Sequence, residues 1–200
     1  MHKIVIATNN SHKISEFRSC FLQKGIGFEL VTIKEAGFAG EIIEDADSFE
    51  GNAYIKAKTL CDHTGMIAIA DDSGLVVDAL GGAPGVYSAR YAGEGATDMQ
   101  NIEKLLHELK DVPADEKTAR FVCAICVCRP DGERLFVSGS SEGIIIDELR
   151  GDGRFGYDPV FLYPPMNKTF AEMSSEEKNS VSHRGRAIES LLESIEFLQK

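Results

Sequence analysis

Two spacings of apolar residues alternate along this chain. A run of β-branched and small residues from 3 to 8 predicts a strand buried on both faces. From 11 to 22, Ile14, Phe17 and Phe21 recur at helical spacing on one face. A second strand is expected at 28 to 33, then an acidic loop at 34 to 47. A helix follows at 47 to 63, with Asp47 and Glu50 as its capping signature and Phe49, Ala53, Ala57 and Leu60 as its apolar stripe. Asn52 and Lys56 share a different, polar face of that helix. A buried strand is read at 66 to 71, stopping at two carboxylates, and a separate apolar run at 75 to 80.

Residues 81 to 96 are glycine-rich, contain Pro84 and read as a loop. Thr97 and Gln100 form a capping box ahead of a helix carrying Ile102, Leu105, Leu106 and Leu109. The pattern then turns strand-like: 118 to 128 and 133 to 141 are joined across Pro130-Asp131-Gly132, a hairpin signal, and 144 to 146 extend that system. A glycine-rich loop at 151 to 158 precedes a short strand at 160 to 163. Ser174 and Glu177 make a further capping box that orients Lys178. Ile188, Leu191, Leu192, Ile195 and Leu198 mark a closing amphipathic helix. With no repeat, low-complexity segment or linker, the expectation is one α/β domain. It has a mixed central β-sheet, flanking helices and a long antiparallel ribbon.

Length and charge narrow the class. Two hundred residues can bury a proper core without disulfide or metal staples. A formal net charge of −11 opposes binding to nucleic acid or an anionic membrane, while a small anionic ligand needs only a local cluster of cations. No apolar stretch approaches the roughly 18 residues of a membrane span. The N-terminal apolar run stops at Thr8, so a cytoplasmic protein is expected. Five cysteines are an odd count, and Cys123, Cys126 and Cys128 lie in a strand-like run, a poor framework for zinc or disulfides.

The chemistry is concentrated in a few polar segments. Asp71, Asp72, Ser73 and Gly74 follow an apolar strand, at the kind of strand end where α/β proteins place ligands. Side chains alternate along a strand, so one carboxylate reads as reactive and the other as a structural acceptor, unless the segment is simply a turn. Thr8, Asn9, Asn10, Ser11, His12 and Lys13 join the first strand to the first helix. Free N–H groups and the helix dipole there favour phosphate, and an ordinary Asn or Ser cap is the competing reading. The spacing is not that of a P-loop. Glu44 and Asp45 read either as metal ligands or as a solvated acidic turn. In Phe155-Gly156-Tyr157-Asp158, two aromatics beside a glycine suit either a stacked nucleobase or a packed loop. Ser182-His183-Arg184-Gly185-Arg186 puts cations at a helix start, against the macrodipole, which a bound anion or hydrogen-bonding ligand would offset.

Taken together, these segments resemble the inosine triphosphate pyrophosphatase family. The resemblance is carried by Thr8-Asn9-Asn10 with Lys13, Asn52-Ala53 with Lys56, Ala70 to Leu75, Gly82-Ala83-Pro84-Gly85 through Ser88-Ala89-Arg90-Tyr91, Phe155 to Pro159, and Ser182 to Gly185. It extends over nearly the whole chain. Asn9 stands where many members have glycine, and Asn also tolerates left-handed backbone angles. The resemblance implies a two-lobed architecture, a homodimer, and Mg2+-dependent cleavage of ITP, dITP or XTP to the monophosphate and pyrophosphate. It implies Asp72 as proton acceptor and magnesium ligand, with Glu44 as its partner on the metal. It sets Thr8 to Lys13 and Ser73 around phosphates and sugar, with Lys56 as a supporting cation. Phe155, Gly156, Tyr157, Asp158, Lys178, His183 and Arg184 go around the base.

Donors such as His183 and Arg184 would donate to the C6 carbonyl of a deaminated purine and reject the C6 amine of adenine. Guanine has the same carbonyl, so its rejection has to come from C2, where an unpaired buried polar group costs about 1 to 3 kcal/mol. Two rivals stand beside this reading. A pyrimidine-directed or modified-nucleotide pyrophosphatase would change the base pocket, against the Ser182-His183-Arg184 segment. A non-catalytic nucleotide sensor would not need Asp72.

Overall fold

The computed structural model describes residues 3–152 and 155–199. Its seven-stranded mixed sheet has the order β2-β1-β3-β4-β5-β6-β7. The strands are β1 (Lys3–Ile6), β2 (Glu29–Thr32), β3 (Ile67–Val77), β4 (Thr118–Cys128), β5 (Arg134–Ile145), β6 (Phe161–Tyr163) and β7 (Lys168–Thr169). The helices are α1 (Ser11–Gln23), α2 (Phe49–Thr64), α3 (Asp98–Glu108), α4 (Ser175–Val181) and α5 (His183–Glu193). β1 pairs in parallel with β2 and β3, whereas β6 is antiparallel to β5 and β7. The mixed sheet expected from the pattern is therefore present.

The chain forms two compact units. One takes Met1–Asp72, Cys123–Gly139 and Arg184–Lys200, and the other Ser73–Val122 and Ser140–His183. In the first unit, strand alternation sorts side chains onto two faces. Ile4, Ile6, Ile69, Cys123, Ile125 and Val127 pack against Phe17 and Phe21 of α1 and Ala187, Ile188 and Leu191 of α5. Val5, Ala7, Ala68, Ala70, Cys126 and Cys128 pack against Ala53, Ala57, Leu60 and Cys61 of α2. The second unit has its own core, in which Leu75 and Val77 meet Ile102, Leu105 and Leu109 of α3 and the rings of Phe121, Tyr157, Phe161 and Phe170.

Three local expectations are corrected. β3 does not stop at the carboxylates but runs unbroken from Ile67 to Val77, because Leu75 and Val77 are fully buried and give the strand a second apolar segment. α2 is capped by Ser48, whose hydroxyl accepts from Gly51 N at 3.1 Å, rather than by Asp47. Residues 81 to 96 contain a 3-10 helix at Gly85–Arg90, after a cis Ala83-Pro84 bond. The boxes at Thr97/Gln100 and Ser174/Glu177 form as read. The hairpin after β4 is closed by Arg129 N donating to Glu133 O at 2.9 Å, with Gly132 at φ +92°. Of the glycine-rich loop at 151 to 158, Gly153 and Arg154 lie outside the described residues.

Candidate active site

Because β3 is straight through 71 and 72, its two carboxylates project from opposite faces of the sheet. Asp71 meets the helices of one face and Asp72 the helix of the other.

On the Asp71 side, Oδ2 lies 2.9 Å from Lys13 Nζ of α1 and 3.1 Å from Arg184 Nε of α5. Arg184 also pairs through Nη1 with Glu16, one turn beyond Lys13. Asp71 is wholly buried, which pushes its carboxyl up. Lys13 and Arg184 more than reverse this and hold it well below the usual carboxylate range. Arg184, itself 3% exposed, stays protonated because Asp71 and Glu16 outweigh the burial that would strip its charge. Asp71 is thus a buried anion paired with two cations. Arg184 Nε and Nη1 pair with carboxylates, because α5 packs against the sheet face that carries Asp71.

On the Asp72 side, Lys56 and Asn52, four residues apart on α2, reach the carboxylate together. Lys56 Nζ is 3.1 Å from Oδ1, and Asn52 Nδ2 donates to Oδ2 at 3.2 Å. The same Nζ lies 2.5 Å from Glu44 Oε2. Asn52 Oδ1 accepts from Ala46 N at 3.0 Å and so pins the acidic loop to α2. Gly51 is required for this approach, since a Cβ there would sit 2.6 Å from Ala46 Cβ. Desolvation raises the Asp72 pKa by more than Lys56 and Lys13 lower it, leaving it a better proton acceptor than an ordinary carboxylate. Burial lowers the Lys56 pKa, but Asp72 and Glu44 more than restore it, and the ammonium is retained.

The phosphate-turn expectation meets a mixed outcome. Asn10 caps α1, its Oδ1 accepting from His12 N at 3.0 Å and Lys13 N at 3.3 Å, while Thr8 Oγ1 accepts from Asn10 N at 3.1 Å. Two of the free N–H groups invoked for phosphate are thus engaged by the cap. Asn9, Ser11 and His12 are exposed, and Lys13 is directed to Asp71. Ser73, the first residue of the second unit, is half-buried on β3.

In the second unit, several of the expected base-side residues converge. Lys178 Nζ lies 2.5 Å from Asp158 Oδ2 and over two rings, 5.5 Å from the Phe155 centroid and 5.7 Å from that of Phe170. His183 stacks on Phe121 at 4.8 Å and 14°, and Phe121 stacks in turn on Phe170. The Tyr157 ring is buried and its hydroxyl donates to Ser88 O at 2.8 Å. Ser88 Oγ accepts from Leu75 N at 2.9 Å and donates to Gly85 O at 2.6 Å, which anchors the 3-10 turn to β3. Gly156 N donates to Asp98 Oδ2 at 2.8 Å. Sequence reading gave no role to Glu16, Gly51 or Asp98, and named Ser88 only within a motif. Glu16 carried a signal, the i, i+3 spacing from Lys13 on one helix face.

Two carboxylate oxygens converging on one cationic atom form a hard-oxygen donor pair. Among the described residues, no group of three His, Cys, Asp or Glu side chains gathers to hold an ion. Two carboxylates match the habit of Mg2+, which is bound by one or two carboxylates with water and substrate phosphates completing its shell. The residues therefore fit such an ion.

The chain is similar to known proteins over nearly its whole length. The model of the Ham1 family matches residues 4–194. The dITP/XTP pyrophosphatase of Bacillus licheniformis is 49% identical over 191 residues, which cover 96% of each chain. The solved structure of the Staphylococcus aureus Ham1 protein superposes with a TM-score of 0.87 at 40% identity, covering 99% of this chain and 100% of that one. A HAM1 protein from Coxiella burnetii gives a TM-score of 0.90 at 38% identity and 98% coverage of both chains. With its sequence matched almost end to end and its mixed sheet shared with solved relatives, the chain belongs to the Ham1 family.

Proposed function

We propose that this protein hydrolyses deaminated purine nucleoside triphosphates of the dITP and XTP kind to the monophosphate and pyrophosphate, with Mg2+, and so cleanses the nucleotide pool. Membership of the nucleotide pyrophosphatases follows from its family and its relatives. Substrate, metal and residue roles are the proposal. The observation that carries it is Asp72: a carboxylate with a raised pKa, oriented by Asn52 and Lys56 and sharing a cationic centre with Glu44.

In this reading Asp72 accepts the proton of the attacking water, and the Asn52 amide, donating to Oδ2, orients the carboxylate. Glu44 and Asp72 would hold Mg2+, which offsets the roughly four negative charges of a triphosphate. Lys13 and Lys56 supply further positive charge for the phosphates, and Thr8 to His12 with Ser73 line the phosphates and sugar. Arg184 acts as a positioning residue: together with Glu16 it sets Asp71, and through Asp71 it sets Lys13.

In the second unit, Phe155 stacks on the base, while Lys178, steered by Asp158, donates to the C6 carbonyl. Gly156 and Tyr157 hold that loop through Asp98 and Ser88, and His183 lines the aromatic cluster. A homodimer is proposed with the family, and sedimentation at micromolar concentration as a single chain with full activity would refute it. Among the described residues no helix is long and apolar enough to cross a membrane.

The test of function is pyrophosphate release from ITP, dITP, XTP, GTP, ATP, UTP and dTTP with Mg2+. Preference for the first three supports the proposal. A preference for UTP or dTTP, or binding without turnover, would replace it with a pyrimidine enzyme or a sensor.

A further inference from the structure

Lys56 occupies an unusual position for a phosphate-binding cation. Its residue is 8% exposed, and its ammonium makes short contacts with two carboxylates, 2.5 Å to Glu44 Oε2 and 3.1 Å to Asp72 Oδ1. These are the two carboxylates assigned to the metal. An ion held by both carboxylates would compete with the ammonium for them. Two cations would then share the same two oxygens at a separation where like charges repel strongly.

We infer that the Lys56 ammonium is a stand-in for the divalent cation: it keeps Glu44 and Asp72 together when no metal is bound, and metal entry displaces it. This rests on the proposed metal role of those two carboxylates.

The charge balance explains why a stand-in is needed. Without a cation, two half-buried carboxylates would face each other unpaired, an unfavourable arrangement in a desolvated site. Lys56 reduces the local charge from −2 to −1. When Mg2+ enters, the ammonium, on a flexible four-carbon stem, loses its partners and becomes available to an anion. Incoming triphosphate oxygens are such an anion. When the ammonium leaves, Asn52 still holds Asp72 and, through Ala46 N, the loop carrying Glu44. Metal and nucleotide should therefore assist one another: the metal frees Lys56 for the phosphates, and the phosphates lower the cost of freeing it. Linkage makes that assistance reciprocal.

The test is calorimetric titration of the nucleotide-free protein with Mg2+ alone. Lys56→Met is expected to bind Mg2+ at least about tenfold more tightly than the parent, since a like charge no longer contests the site. Lys56→Arg, which keeps the charge, should show no such gain. Equal affinity in parent and Lys56→Met, lost from both on adding Asp72→Asn, would overturn the inference and leave the metal reading intact. Mg2+ affinity indifferent to Asp72→Asn would overturn the metal reading itself. Should Lys56→Met fail to fold, acetylation of the parent, read by mass spectrometry, decides. Mg2+ should raise labelling of Lys56 several-fold relative to exposed lysines such as Lys58, and unchanged labelling would sink the inference.

Discussion

Asp71 and Asp72 are consecutive on one strand, and their surroundings drive their protonation in opposite directions. Asp71 is fully enclosed yet held far below the usual carboxylate range by Lys13 at 2.9 Å and Arg184 at 3.1 Å. Asp72 keeps a 14% exposed side chain, and desolvation pushes it up further than Lys56 and Lys13 bring it down. A straight strand turns successive side chains to opposite faces, and the two faces carry different helices. Pairs of carboxylates whose pKa values are pushed apart are how one site obtains both a permanent anion and a proton acceptor.

The two variants should therefore fail differently. Asp72→Asn is expected to lower kcat by at least about a hundredfold with little change in stability, because the amide fills the space but accepts no proton. Asp71→Asn takes the shared anion from half-buried Lys13 and buried Arg184, which keeps only Glu16, at a cost of about 3 to 5 kcal/mol. Steady-state kinetics and urea unfolding on both variants separate the outcomes, and equal mild losses in both would refute the division of roles.

Stability should depend on Asp71 at acid pH. Its folded pKa lies below the unfolded value of about 3.9, so the unfolded chain binds the proton more readily. The stabilisation is complete above the unfolded pKa, from about pH 5 upward, and is lost as pH falls toward the folded value. Urea midpoints measured between about pH 7 and pH 3 should fall less steeply for Asp71→Asn than for the parent. Parallel slopes would show that other carboxylates dominate acid unfolding.

Base selectivity should track Lys178 rather than Arg184. Loss of a charge-assisted hydrogen bond costs about 1.5 to 3 kcal/mol, so Lys178→Ala should narrow the ITP over ATP ratio in kcat/KM by roughly ten- to a hundredfold. Arg184→Lys, which disturbs Asp71 and Lys13, should depress both substrates alike and lower the melting temperature. A selective loss in the Arg184 variant with intact stability would return Arg184 to the base.

Ser88 should matter for stability out of proportion to its size. Its hydroxyl receives the buried Leu75 N–H at 2.9 Å, and Ser88→Ala strands that donor at a cost of about 1 to 3 kcal/mol. Chemical denaturation giving an unchanged midpoint would show that the amide finds another acceptor.

Much of the fold was legible because it is written in local periodicity. β4 spans the residues its apolar run marks, and the capping boxes at Thr97 and Ser174 form where Ser/Thr and Gln/Glu stand three apart. Legibility failed where a local signal was ambiguous. Asp71 to Gly74 carries turn residues, yet it continues a strand because buried Leu75 and Val77 lie beyond it. Asp47 has the chemistry of a cap, and the neighbouring Ser48 takes the role.

At the site, the residue types and their helical spacings were in the sequence: Lys56 four residues after Asn52, Glu16 three after Lys13, and two adjacent carboxylates bound to face opposite ways. Which helix meets which carboxylate was decided only by the tertiary structure. The sequence order of α1, α2 and α5 does not say which face of the sheet each will cover, because that follows from how their apolar stripes pack against β1, β3 and β4. That packing set Arg184 beside Asp71. It also brought Lys56 between Glu44 and Asp72, since charges distant along the chain gain pKa shifts and partners only once burial sets them side by side.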